Sequence, residues 1–253
     1  MVCKANSSSN PQFFSKCSNK PPKLLSSSCP KSQSIQMQRL NSMSFRCCYN
    51  QNQQQQPITT KTQHPKPELY TVNFKTMKDC NLGISIYPNF VYNAGGGRGT
   101  GRGTLLESQF NELFVSFDLQ TLYIPPLNSN TTKFLALPLP PFFKIDIVPQ
   151  LFQGTIEKQT GKVSLEFKAK FCFSVGSVYR APPLLVETIL TSEESSGKMR
   201  SGKGERLDEE GKCRLVGVAT VDPIDDVFMN SFLRLPTECL AVLNATIQFS
   251  AST

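Results

Sequence analysis

The sequence predicts an all-β domain, mainly antiparallel: a barrel or strongly curved sheet of about eight strands, with one or two short C-terminal helices. Three observations predict it. From Val163 to Val175 apolar and polar residues alternate without a break. Shorter runs of the same two-residue period recur across residues 82–249, separated by Gly, Pro and Asn turn signals. Helix-start chemistry stands out at one place, where Asp222 precedes Pro223.

The longest run is the clearest. Val163, Leu165, Phe167, Ala169, Phe171, Phe173 and Val175 share one face, and Ser164, Glu166, Lys168, Lys170, Cys172 and Ser174 the other. Thr160-Gly161-Lys162 joins this strand to a partner at Leu151 to Lys158, which reads as a hairpin. Upstream, Leu82 to Tyr92 places Ile84, Ile86, Phe90 and Tyr92 on one side, with Pro88 marking an edge or bulge. Leu113 to Tyr123 turns Val115, Phe117, Leu119 and Tyr123 inward, and Phe143, Ile145 and Ile147 flank Lys144 and Asp146. Leu184 to Leu190, Cys213 to Val221 and Val242 to Phe249 complete the set. The helix runs from an Asp222 N-cap to a stop before Pro236, and a second short turn begins at Thr237. Two segments read as loops: the glycine-rich Gly95 to Gly103, mobile between strands, and Ser192 to Lys212, solvated and disordered.

Charge divides the chain. Nine Lys and Arg precede the first acidic residue, Glu68, leaving 18 basic and 19 acidic groups in residues 68–253. The domain is therefore nearly neutral, and a field that could steer nucleic acid or anionic lipid to it is not expected. The acid-free leader, rich in Ser, Asn and Gln, has the composition of a transit peptide and lacks the apolar run of a secretory signal. Residues 1–47 read as a disordered chloroplast transit peptide, residues 48–67 as a Gln-rich flexible tether, and residues 68–253 as one β-rich domain. No run of 18 apolar residues predicts a transmembrane helix.

The sole histidine, His64, falls in the tether, so the domain has no imidazole to serve as a nucleophile's base or a zinc ligand. Cys80, Cys172, Cys213 and Cys239 are widely spaced and read as small hydrophobes in a reducing compartment. No catalytic residue, metal site or cofactor is predicted. Two candidate sites remain. Phe117, Phe167, Phe171 and Phe173 project from inward faces and would line an apolar ligand chamber if the interior is hollow. Arg98 and Arg102 in the glycine-rich segment would bind an anion if its backbone forms a nest.

GGGRG after Tyr92, LPLPP at Leu137 to Pro141, and the stretch from Leu215 to Ala245 resemble a set of uncharacterised chloroplast-targeted plant proteins with cyanobacterial relatives. That resemblance implies a plastid role tied to photosynthetic membranes and brings no site residues with it. The expectation is a non-catalytic protein of the stroma or the stromal thylakoid face, holding a lipid or pigment inside a β-barrel. The alternative is an assembly or scaffold factor for a thylakoid protein complex, acting through the Gly-Arg and polar loops. A third is an enzyme without histidine chemistry, built on Asp146, Lys144, Asp226, Tyr179 or Arg180.

Overall fold

Side chains that alternate along an extended backbone must bury one face, and antiparallel neighbours let the whole chain do so at once. The computed structural model describes residues 69–105 and 111–251. The predicted transit peptide and tether, with His64, lie outside the described residues. In chain order the elements are β1 (Leu69–Thr76), β2 (Cys80–Ile84), β3 (Phe90–Tyr92), β4 (Arg98–Leu105), β5 (Glu112–Phe117), β6 (Thr132–Phe134), β7 (Leu137–Pro138) and β8 (Phe143–Glu157). There follow β9 (Val163–Val175), β10 (Tyr179–Arg180), β11 (Leu184–Thr191), β12 (Glu194–Ser196), β13 (Ser201–Lys203), β14 (Lys212–Val221), α1 (Val227–Leu233) and β15 (Thr237–Ala251). The all-β expectation holds.

Eight of these strands form a closed antiparallel ring in the order β1, β4, β5, β8, β9, β11, β14, β15, with β15 returning to β1. The ring has two halves because its longest strands outrun the rest. Residues 245–251 of β15 pair with β1, whereas residues 239–242 pair with β2. From β2 the sheet continues through β3 and β6, and the bridge between Leu127 and Ile145 carries it back to β8. The lower half is thus completed by β1, β4 and β5, and the upper half by β2, β3 and β6. One seam is thin: β11 and β14 share a single ladder pair, Thr191 with Val216. Side chains serve there instead, Thr188 Oγ1 donating to Val218 O at 2.9 Å and Ser195 Oγ accepting from Val218 N at 3.1 Å.

The lower half is solid, and β4 explains why. Gly99, Gly101 and Gly103 pair with or lie beside Phe74, Val72 and Val115 on the inward face. A Cβ on them would fall 2.8 Å from Leu122, 2.9 Å from Phe117 and 2.9 Å from Leu113 respectively. Large side chains from the adjacent strand β5 and the turn after it fill the space that missing Cβ atoms leave. The glycine-rich segment read as a mobile loop is therefore mainly a strand. Phe74, Phe117 and Phe152 interlock above it, with Phe117 stacked on Phe152 at 4.5 Å.

Several other expectations change. Phe143–Ile147 and Leu151–Lys158 merge into the single bent strand β8, whose register shifts at Pro149/Leu151, where a bulge turns the strand without ending it. Leu82 to Tyr92 is two strands: Tyr87 N donates to Ile84 O across a turn in which Ser85 has φ 50°, and Ile86 is left exposed. Leu119 and Tyr123 are exposed because β5 stops at Phe117 and Asp118 begins a turn. The helix starts four residues later than expected. Asp226, not Asp222, is its N-cap, accepting from Met229 N at 2.8 Å. Thr237 opens β15, not a second helix.

The polar segment 192–212 is ordered. Hairpin β12–β13 lies against the outside of β14 and β15, so close that a Cβ on Gly202 would sit 2.5 Å from Val216. Glu238, buried beneath it, accepts from the backbone N–H groups of Lys198, Met199 and Arg200 at 2.6, 2.7 and 2.9 Å. A count of charges suggests a solvated loop. Its backbone N–H groups, gripped by a carboxylate of β15, make it a clasp.

Candidate functional site

Above the aromatic layer the walls no longer meet. A cavity of about 480 Å³ occupies the upper half of the ring. Its floor is the layer of Phe74, Phe152 and Phe167, the last set edge-on to Phe152 at 5.9 Å. Its walls are the inward residues of the long strands: Ile145 and Phe143 on β8, Phe171 and Phe173 on β9, Val186 on β11, Ala219 on β14 and Ala241 on β15. Small residues on β14 and β15 face aromatic ones on β8 and β9, and this asymmetry leaves room. Its roof is α1, whose Met229, Phe232 and Leu233 face down into the space. Asp226 at one end and Arg234, in the left-handed conformation, at the other hold α1 to two turns.

Four of the hydroxyls that reach this lining are tied to the protein. Thr76 Oγ1 donates to Ala94 O at 2.5 Å, Tyr87 Oη to Phe232 O at 2.7 Å and Thr188 Oγ1 to Val218 O at 2.9 Å; the Tyr92 hydroxyl donates to Pro125 O. Burial pushes the Tyr92 phenol above its ordinary range, and it pushes the Cys239 thiol up to about 12. Both stay protonated at neutral pH. Among the described residues no carboxylate, ammonium or guanidinium lines the chamber. It can reward shape and apolar area and little else.

The structure divides the sequence-predicted candidates. Phe167, Phe171 and Phe173 face the cavity. Phe117 lies one layer lower, in the packed core. Arg98 and Arg102 project from the outer face of β4, away from both halves; Arg98 rests over the Tyr123 ring at 5.9 Å, and both are exposed. The glycines between them are consumed by packing, so no nest of N–H groups gathers around the two guanidiniums. Phe74, Phe90, Phe134, Phe143 and Phe152 also line the chamber. Their alternation pattern marked Phe143 and Phe90 as inward, but nothing local marks Phe134, which stacks on Phe90 at 4.7 Å.

A second, open groove of about 660 Å³ runs outside β8 and β9 and contains Asp146, Cys172, Ser174 and Arg180. Asp146 lies opposite Cys172 on the β8–β9 ladder, and Lys144 Nζ holds its carboxylate at 2.9 Å. This is a half-exposed ion pair rather than a buried acid–base pair. Among the described residues no group of three or more His, Cys, Asp or Glu side chains gathers to hold a metal, and no helix is long and apolar enough to cross a membrane.

Fold and site together define an all-β ring with an apolar chamber in its upper half. No protein-family model, curated protein or solved structure matches the chain.

Proposed function

We propose that the protein is a non-catalytic binding protein that holds one apolar small molecule, a lipid or pigment, in the upper half of its strand ring. One observation carries this reading: a chamber of about 480 Å³ lined, among the described residues, by no charged group, and whose hydroxyls, that of the half-exposed Tyr123 apart, already donate to backbone carbonyls. Ligand pockets run from about 300 to 1,000 Å³, and an eight-stranded ring is wide enough either to pack solid or to hold one small ligand. Here the lower half packs solid and the upper half does not. Operation in the chloroplast, in the stroma or on the stromal thylakoid face, is supported by the acid-free composition of the leader.

A scaffold role would act through the glycine-rich and 192–212 segments, yet one is a wall strand and the other a clasp. The experiment is extraction of the protein in the form that accumulates in plant tissue, with mass spectrometry of the organic phase and fluorescence titration with uncharged N-phenylnaphthylamine. A stoichiometric apolar compound, and saturable probe binding that Ala241→Phe and Val186→Phe weaken about tenfold or more, are expected. Absence of both the compound and the probe binding overturns the reading.

A further inference from the structure

The roof of the chamber continues outward as a bare apolar rim. Phe228 stacks on Phe232 at 5.7 Å, and the Phe232 ring lies 5.9 Å from Tyr87, which follows the exposed Ile86. On the other side Phe228 meets the edge of Tyr179 at 5.5 Å; Tyr179 follows Val178, and Gly176 N donates to Phe142 O at 2.8 Å. The rings of Tyr87, Phe232, Phe228 and Tyr179 thus form one connected band, and the exposed Ile86, Val178 and Val227 adjoin its members in the chain, with Val178 at 92% and Val227 at 84% exposure; Phe142 is exposed beside the β9–β10 turn. The outer and inner surfaces meet in single side chains: Phe232 and Tyr87 belong to the rim and also line the chamber. Exposed apolar residues scattered singly need no explanation, but a connected band at the mouth of an apolar chamber does.

We infer that this rim docks the protein on the surface of an uncharged lipid bilayer, with the chamber mouth facing the acyl region. The inference rests on the chamber being a ligand site. A ligand held without any polar contact has no favourable path through water, and a rim buried in lipid gives it one. The shape agrees: the band consists of turn tips and one edge of a two-turn helix, knobs suited to insertion at an interface. The neighbouring charges set the lipid class. Asp222, Asp225 and Asp226 flank the rim, against Arg180, Arg234 and Arg200, whose guanidinium is held on the Ser85 and Tyr87 carbonyls. With no cationic excess, anionic headgroups are not attracted, and docking follows apolar area alone.

The test is flotation of the full chain with phosphatidylcholine vesicles, comparing wild type, the double variant Val178→Glu with Val227→Glu, and Ile189→Glu, an exposed apolar residue on the outer wall of β11. N-phenylnaphthylamine binding without vesicles reports the chamber and the fold. The wild type should float equally at low and high salt, Ile189→Glu should match it, and the double variant should lose about tenfold or more of its bound fraction with probe binding unchanged. A wild type that stays in solution, or a double variant that floats as well as wild type, overturns the docking face. So does sedimentation showing that the rim instead joins two copies or holds another protein. Loss of probe binding by the wild type, with rim-dependent flotation intact, removes the chamber reading instead.

Discussion

The backbone N–H of Arg200 donates to Glu238 Oε2 at 2.9 Å, while the guanidinium of Arg200 points the other way, to the carbonyls of Ser85 and Tyr87. The β12–β13 hairpin therefore joins the start of β15 to the turn after β2. That turn carries Tyr87, whose hydroxyl bonds to α1. The roof is fastened from outside the ring.

Glu238 should give this fastening a pH dependence. Hydrogen bonds from the Met199, Lys198 and Arg200 N–H groups hold its carboxyl below the ordinary range. A depressed folded-state value means the contribution is complete above the unfolded glutamate value of about 4.3 and is lost as pH falls through the folded one. The protection factors of the 198–200 amides, which correct for the intrinsic pH dependence of exchange, should stay constant at neutral pH and fall once pH drops below the unfolded glutamate range. In Glu238→Gln the same amides should exchange faster at all pH values, with the acid dependence flattened.

Gly101→Ala should destabilise the fold by about 1–3 kcal/mol in urea unfolding, because the added methyl overpacks a filled layer. Its carbon would lie 2.8 Å from Ser116 O and 2.9 Å from Phe117 Cδ1. Arg98→Ala and Arg102→Ala should each stay within about 0.5 kcal/mol of wild type. The reverse ranking would restore the glycine-rich segment as an anion site.

Phe117 and Phe171 should respond differently to truncation. Phe117→Ala removes a ring packed among Phe74, Phe152 and the β4 backbone, and should cost about 3–5 kcal/mol. Phe171 already faces empty space, so Phe171→Ala should cost about 1–2 kcal/mol, because fewer contacts are lost. Probe affinity should move with Phe171 and hardly with Phe117.

Tyr179 Oη donates to Asp226 Oδ2 at 2.7 Å and links β10 to the cap of α1. Burial, then the hydrogen bond and charge of Asp226, push the phenol up to about 12. A raised value means the contribution is present below the ordinary tyrosine range near about 10 and is lost as pH rises through the folded value. Spectrophotometric titration should show a tyrosine that ionises late, together with loosening of α1. Tyr179→Phe should abolish that step and let the Asp226 carboxyl, now held low by Met229 N and Tyr179, move back up.

Burial sets the Cys213 and Cys239 thiols at about 12, so alkylation at pH 8 should leave both unmodified in the folded protein and modify both in urea. Early modification of Cys239 would mean that the upper half opens readily.

Much of the wall was legible because the two-residue period is a local signal. β9 needs no information beyond residues 163–175, and both its ends fall where alternation stops. The period fails where a strand has no side chains to alternate. Gly99, Gly101 and Gly103 are a strand only because Leu122, Phe117 and Leu113 occupy their inward face. It also fails on polar residues: nothing near Ser192 to Lys212 reveals that Glu238 waits beneath. Inwardness was legible for Phe117 as for Phe171, but not which one meets an opposite wall. That depends on pairings such as Phe74 with Ile247, more than 160 residues apart in the chain.

β15 is the common wall of both halves, bonded to β14 along one edge and to β1 and β2 in succession along the other. Neither half can shut until residues 237–251 are in place. Until then β1, β2 and β14 each present unpaired N–H and C=O groups along a hydrophobic ribbon, the form most prone to join another chain. A ribosome or a translocating pore delivers β15 after every strand it must join. The emerging chain therefore keeps those edges open until its last strand arrives.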